Sequence, residues 1–203
     1  VVPDEGYLSK AKSLCKSANI LFIADEIQTG LGRTGKLSAC DYEQVHPDIL
    51  ILGKALSGGY FPISAVLSSN EIMLTIKPGE HGSTYGGNPI ACAIAVAALE
   101  VLKEEDMAAN AAILGPYFRE QLKKRNLPFV KDIRGKGLLN AIELDHNDEQ
   151  AAWKLCLQLK ENGLLAKQTH GDKIRFAPPL VITKEQVDEC VAIIAKSFSC
   201  FEE

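Results

Sequence analysis

Asp25 and Lys54 could act together in a chemical reaction, and each of them follows an apolar segment of the sequence. Asp25 comes directly after the run Ile20–Ala24. Lys54 stands shortly after a second run, Ile49–Leu52. Runs that are apolar throughout are typical of parallel strands with both faces covered. Because parallel strands end at one edge of a sheet, and the spacing fits one strand–helix–strand unit, we expect Asp25 and Lys54 to face a common site.

A carboxylate and an amine at one sheet edge suit pyridoxal phosphate. This cofactor forms a Schiff base with a lysine, and a carboxylate keeps its pyridine nitrogen protonated so that the ring can accept electrons. An apolar strand followed by Asp25-Glu26 is also typical of a Walker B element, the magnesium-binding strand of an ATPase module. That alternative stays open, although the GxxxxGK[ST] phosphate loop it requires does not occur in these residues.

A loop rich in glycine and hydroxyl groups precedes a run of small apolar residues. Ser83 and Thr84 lie in the segment Gly82–Pro89, and Asn88-Pro89 is a typical helix start. Free N–H groups and the helix dipole at such a start favour anions, so the loop could bind a phosphate. An ordinary glycine-rich loop followed by a helix cap fits the same residues, and both interpretations stay open.

An arginine lies among apolar residues in the last part of the chain. Arg175 is flanked by Ile174 and Phe176. An arginine in apolar surroundings is costly unless its guanidinium pairs with a carboxylate. The partner could be an acidic side chain of this protein or an acidic substrate.

The order of the apolar patterns predicts an α/β fold with two domains. The first part alternates helices with apolar strands, which predicts a mostly parallel sheet. From about Asp106 the pattern changes to the short strands and helices of a smaller α+β domain, so the predicted domains are residues 1–105 and 106–203. Predicted helices cover about 4–17, 90–103, 107–125, 149–162 and 184–198, and predicted strands about 20–24, 49–52, 63–67, 129–133 and 138–144.

The composition excludes several classes of protein. Hydrophobic residues make up 46% and charged residues 24% of the 203, with a formal net charge of −4. That balance is typical of a core-forming globular protein and argues against a nucleic-acid partner. The longest apolar run is too short to span a bilayer, so no membrane partner is expected. The scattered cysteines and histidines predict free thiols in a reducing compartment and no metal site.

Several stretches resemble the class III aminotransferases, which have the type I pyridoxal-phosphate fold. The segments are FIADEIQTGLGRTGK and PDILILGKALSGGYFPISAV, followed by IKPGEHGSTYGGNP, RGKGLLNAIEL, NGLLAK and THGDKIRFAPPLVIT. The resemblance extends from end to end and is closest to the members that use ornithine. It implies that residues 1–105 are the C-terminal portion of a large cofactor-binding domain and residues 106–203 a small C-terminal domain. We therefore expect the chain to be the C-terminal half of such an enzyme.

The resemblance also implies which residues bind the cofactor. Lys54 is implied to form the Schiff base with pyridoxal 5′-phosphate and to shuttle the proton. Asp25 is implied to pair with the pyridine nitrogen, and Gln28 to bind the phenolic oxygen of the ring. Ser83 and Thr84 are implied to bind the cofactor phosphate from the neighbouring subunit of a homodimer.

The substrates follow from the same resemblance. Arg175 is implied to bind the carboxylate of 2-oxoglutarate or glutamate. The implied reaction transfers the δ-amino group of ornithine to 2-oxoglutarate, giving glutamate and glutamate 5-semialdehyde, which cyclises to pyrroline-5-carboxylate. An acetylornithine, GABA or lysine aminotransferase would carry much the same residues, so those substrates stay open. The family occurs in the cytoplasm or the mitochondrial matrix, and of the two we expect the cytoplasm.

Overall fold

The chain folds into two compact units in the computed structural model, which describes residues 1–201. The N-terminal unit comprises Pro3–Ala108, and the C-terminal unit comprises Val1–Val2 and the residues from Ala109 onward. This division falls close to Asp106, where the sequence pattern changes. The assignment of the two units to a large and a small domain of the family stays a prediction.

The N-terminal unit is built on a small mixed sheet. Its helices are α1 (Tyr7–Ser17), α2 (Asn70–Met73) and α3 (Pro89–Glu104), and its strands are β1 (Ile23–Asp25), β2 (Ile49–Leu52) and β3 (Ala65–Ser68), in the order β1-β2-β3. β1 and β2 are parallel, as the apolar runs predict. β3 is antiparallel to β2, because the segment between them holds only a short 3₁₀ helix and not the crossover helix that a parallel pair requires.

Two apolar clusters connect the helices of this unit to its sheet and loops. In the first, Leu8 of α1 packs against the buried side chains of Ala24 and Cys40. In the second, Ala95 of α3 packs with Leu56, which lies in the 3₁₀ helix that follows β2. The second cluster therefore fixes the turn after β2 against α3.

The C-terminal unit is an antiparallel sheet with helices packed on one face. Its strands β4 (Val130–Lys136), β5 (Leu139–Leu144), β6 (Lys167–Thr169) and β7 (Lys173–Phe176) lie in the order β4-β5-β7-β6, and its helices are α4 (Met107–Lys124), α5 (Ala151–Glu161) and α6 (Lys184–Ser197). Residues Asn140, Ile142 and Leu144 of β5 are buried, while the residues between them are only half-buried. That alternation is typical of a sheet with one covered face, and the three helices supply the covering core.

The helix boundaries lie close to the predicted ones. The side chain of Asn88 accepts hydrogen bonds from the N–H groups of Ile90 and Ala91, and Pro89 is the first residue of α3, which confirms the predicted helix start. α6 begins after Thr183, whose hydroxyl accepts a hydrogen bond from the N–H of Gln186. Among residues 1–201, no helix combines the length and the hydrophobicity that crossing a membrane requires.

Gly115 of α4 lies against the turn between β4 and β5. A Cβ atom at this position would stand 1.8 Å from the carbonyl oxygen of Gly137. One turn further along α4, Arg119 donates from Nη1 to the same carbonyl oxygen at 3.0 Å and to the side-chain oxygen of Asn140. Helix and hairpin thus meet backbone to backbone, a contact that only glycine permits.

Candidate active site

Asp25 and Lys54 lie at the same edge of the N-terminal sheet, as the sequence predicts. Asp25 is the last residue of β1 and stands opposite Ile51 of the parallel strand β2. Lys54 follows Ile51 by three positions, just past the end of β2. The Asp25 side chain is exposed, and its Oδ1 atom accepts a hydrogen bond of 3.1 Å from the N–H of Ile27.

The Lys54 amine is held beside the amide of Gln28. The Lys54 Nζ atom donates a hydrogen bond to Gln28 Oε1 at 3.3 Å. Lys54 adopts a left-handed backbone conformation, with φ of 47°, at the start of the 3₁₀ helix Lys54–Ser57. A left-handed lysine is uncommon, and such conformations cluster at functional sites. The structure thus places the Lys54 amine beside the Gln28 amide, at the same end of the parallel strands as Asp25.

Buried residues and the close approach of α3 fix the turn that carries Lys54. Leu56 and Ser57 are buried, and the Ser57 hydroxyl oxygen accepts a hydrogen bond from the N–H of Phe61 at 3.3 Å. Gly58 ends the turn with φ of 61°, and a Cβ atom there would stand 3.4 Å from Ala98 of α3. Small residues on α3 thus let the helix approach closely, which holds the Lys54 backbone in place.

Glu26 faces the interior between the two exposed residues Asp25 and Gln28. The residue is 3% exposed, and its carboxylate accepts hydrogen bonds from the hydroxyls of Thr29 and Ser38 and from the N–H of Cys40. Burial acts to raise the pKa of Glu26, but these hydrogen bonds outweigh burial and hold the pKa below its usual value.

Glu26 has no role in the aminotransferase site that the sequence predicts. The sequence does contain a signal, because Glu26, the second acidic residue after an apolar run, is followed by the hydroxyl residues Thr29 and Ser38. The sequence alone does not show that the loop brings these hydroxyls back to the carboxylate.

Ser83 and Thr84 lie in an exposed loop before α3. The Ser83 hydroxyl oxygen accepts a hydrogen bond from the N–H of Gly86 at 3.0 Å. The side chain of Asn88 already occupies two N–H groups of the helix start, so a bound anion would rely on the remaining groups of the loop. Within the part of the chain that the structure describes, no hydrogen bond joins Ser83 or Thr84 to the residues around Lys54.

Arg175 lies on β7 in the C-terminal unit, on the face of the sheet opposite the core. It is half-buried, and its cross-strand neighbours are Ala141 and Lys167. Over residues 1–201, no carboxylate lies within 4.0 Å of its guanidinium. By contrast, Arg134, which also stands opposite Ala141, pairs with Glu143 at 2.6 Å. An acidic side chain of the described chain is thus not the partner of Arg175.

The sequence matches the family model described as aminotransferase class-III over residues 1–198. It is 62% identical over 197 residues to the mitochondrial ornithine aminotransferase of Drosophila melanogaster, which covers 97% of this chain and 45% of that protein. The chain therefore spans less than half the length of this curated relative. The match to an aminotransferase family does not favour the ATPase alternative.

Two solved structures have the same fold as this chain. The acetylornithine aminotransferase of Elizabethkingia anophelis has a TM-score of 0.93 and 60% identity, covering 97% of this chain and 52% of that one. The ornithine aminotransferase of Toxoplasma gondii, whose structure reveals partial occupancy of PLP at the active site, has a TM-score of 0.94 and 53% identity, covering 99% of this chain and 48% of that one. The predicted type I pyridoxal-phosphate fold is confirmed, and this chain belongs to the class III aminotransferases.

Proposed function

We propose that this chain is part of a pyridoxal-phosphate-dependent ornithine aminotransferase. The reaction would transfer the δ-amino group of ornithine to 2-oxoglutarate, giving glutamate 5-semialdehyde, which cyclises to pyrroline-5-carboxylate, and glutamate. The observation that carries the proposal is the Lys54 amine, which lies 3.3 Å from the Gln28 amide oxygen at the same sheet edge as the Asp25 carboxylate. The names of the similar fly and Toxoplasma proteins support ornithine as the amino donor.

The residues at this edge fit pyridoxal phosphate. The Asp25 carboxylate is exposed, and within residues 1–201 only its Oδ1 atom takes part in a hydrogen bond, so Oδ2 can accept from a pyridine N–H. The Lys54 side chain is also exposed, so a carbonyl carbon can reach its amine. When bound, the cofactor supplies a carbonyl that takes up an amino group and a ring that draws electrons from the adjacent C–H bond.

Each proposed residue then has a distinct task. Lys54 Nζ attaches the cofactor and, once released, moves a proton to and from the substrate carbon. Asp25 holds the proton on the pyridine nitrogen through a charge-assisted hydrogen bond. Gln28 orients the ring by binding its phenolic oxygen, and Ser83 and Thr84 bind the phosphate of the cofactor in the neighbouring subunit of a homodimer. We further propose a location in the cytoplasm or the mitochondrial matrix.

Chemical trapping tests this assignment directly. The full-length natural protein that contains this sequence should form a visible chromophore with pyridoxal phosphate. Borohydride reduction followed by peptide mapping should place the pyridoxyl group on Lys54. A label on another lysine, or no label, would contradict the proposal. Assays with ornithine, acetylornithine, GABA and lysine as competing amino donors should show the highest kcat/KM for ornithine, and a higher value for acetylornithine would reassign the substrate.

Arg175→Lys should weaken the binding of 2-oxoglutarate. Lysine keeps the positive charge but loses the two-pronged geometry that binds a carboxylate, so we expect KM for 2-oxoglutarate to rise by about 30-fold, or about 2 kcal/mol, with a smaller change in kcat. Steady-state kinetics at saturating ornithine measure both constants. The matched control is Arg134→Lys on β4, since Arg134 is already paired with Glu143. Equal effects of the two substitutions would contradict the role of Arg175.

A further inference from the structure

A buried carboxylate lies directly between two residues of the proposed active site. Asp25 and Gln28 are exposed at the sheet edge, whereas Glu26 is 3% exposed and points the other way. The backbone of Glu26 is anchored to the sheet, because its N–H donates to the carbonyl oxygen of Ile51 at 3.0 Å. Glu26 is thus the point where the rigid strand passes into the loop that carries Gln28.

The carboxylate of Glu26 joins the two ends of this loop. Its Oε1 atom accepts hydrogen bonds from Ser38 Oγ at 2.7 Å and from the N–H of Cys40 at 3.0 Å. Its Oε2 atom accepts a hydrogen bond from the hydroxyl of Thr29. Hydrogen bonds to an ionised acceptor are roughly twice as strong as neutral ones. The Glu26 carboxylate, at the start of the 26–40 loop, is therefore hydrogen-bonded to the end of the same loop.

Backbone hydrogen bonding and close packing restrict the conformation of the turn that contains Gln28. The N–H of Gly30 donates to the carbonyl oxygen of Glu26 at 2.9 Å, so Gln28 lies within a turn whose two ends are tied together. A Cβ atom at Gly30 would stand 2.8 Å from the same carbonyl oxygen, which shows how closely the turn is packed. The position of the Gln28 amide, and hence its hydrogen bond with Lys54, depends on this turn.

We propose that Glu26 is a positioning residue: its buried carboxylate fixes the 26–40 loop so that the Gln28 amide meets the Lys54 amine. Glu26 does not touch the reacting atoms and acts only through Gln28. The inference rests on the proposed function, because the effect on catalysis requires that Gln28 and Lys54 belong to a pyridoxal-phosphate site.

Three variants of the longest natural chain separate this role from its alternatives. Glu26→Gln keeps the shape but replaces one oxygen with an NH₂ group that faces the same donors, and Glu26→Asp keeps the charge on a shorter side chain. The matched control is Glu43→Gln, which removes one negative charge from the same unit. Glu43 accepts its hydrogen bond from the N–H of Ser9 in α1, outside the loop.

Hydrogen exchange of the cofactor-free chains is the first measurement. In Glu26→Gln we expect the amide of Cys40 to exchange about tenfold faster, because a neutral amide with a single oxygen replaces the ionised acceptor, so the loop opens locally more often. Glu43→Gln should change exchange only at the start of α1. Unchanged exchange across residues 26–40 in Glu26→Gln would overturn the inference. If Glu26→Gln does not fold, Ser38→Ala, which removes one donor, should give a smaller increase in the same segment.

The cofactor-loaded chains give the second measurement. We expect Glu26→Gln to lower kcat about tenfold, with KM for ornithine within about threefold, and to shift the pH midpoint of the cofactor absorbance by about 0.5 unit. Glu26→Asp should recover part of both effects, and Glu43→Gln should show neither. Faster exchange with an unchanged pH midpoint and kcat would overturn the positioning role. If the wild-type chain formed no chromophore, the proposed function would fall, and the exchange experiment alone would decide whether Glu26 fixes the loop.

Discussion

Lys54→Ala is expected to lower turnover by about 10⁴-fold or more while the chain still binds pyridoxal phosphate. Alanine has no amine, so the variant loses both the covalent attachment of the cofactor and the base that moves the substrate proton. Asp25 and Gln28 remain to hold the ring. Single-turnover reactions with ornithine measure the loss, and the absorbance of the bound cofactor reports its retention.

The control for this prediction is Lys36→Ala. Lys36 is an exposed lysine of the same unit that no proposal assigns to the site. Its removal should leave turnover within about twofold, because exposed substitutions away from special features have small effects. Turnover of Lys54→Ala within tenfold of wild type would exclude Lys54 as the catalytic amine.

Gly115→Ala is expected to destabilise the C-terminal unit by about 3 kcal/mol. In an open helix, alanine in place of glycine stabilises by about 1 kcal/mol. Here the new methyl group would stand 1.8 Å from the carbonyl oxygen of Gly137, so α4 and the β4–β5 hairpin must separate. Overpacking of this kind outweighs the helix propensity. Denaturant unfolding of wild type and variant measures the difference.

The control is Gly82→Ala, where an added Cβ meets no atom within 4 Å. We expect its free energy of unfolding to lie within about 0.5 kcal/mol of the wild-type value. A Gly115→Ala variant as stable as wild type would mean that the helix and the hairpin are not in the backbone contact described above. The same variant should also lose the hydrogen bond from Arg119 to Gly137, since both contacts use one carbonyl oxygen.

The sequence predicts well those features that depend on local pattern. The strand β2 has the predicted bounds, and the Asn88-Pro89 start of α3 is confirmed because both residues act on their immediate neighbours. The position of Asp25 and Lys54 at one sheet edge follows from two apolar runs that form parallel strands, and predicting it needs no knowledge of side-chain contacts.

Features that depend on non-local contacts could not be predicted in this way. The antiparallel direction of β3 depends on how the chain turns after Lys54, where no covering helix forms. The runs of apolar residues predict strands covered on both faces, yet Ile23 is 54% exposed in this chain. The apolar pattern predicts a strand, but it does not show which segment of the protein packs over that strand. The closure of the loop by Glu26 is non-local in the same sense.

The left-handed backbone at Lys54 implies a conflict between two demands on one position. For a residue with a side chain, this conformation costs about 1–2 kcal/mol, whereas glycine adopts it without that cost. Selection for folding stability alone would therefore favour glycine after Gly53, and selection for chemistry would favour an amine. This chain has the lysine in the less stable backbone conformation, and the packing of α3 against Leu56 holds the backbone there. The left-handed conformation of Lys54 thus lowers the free energy of unfolding of the N-terminal unit, at the residue that we propose supplies the catalytic amine.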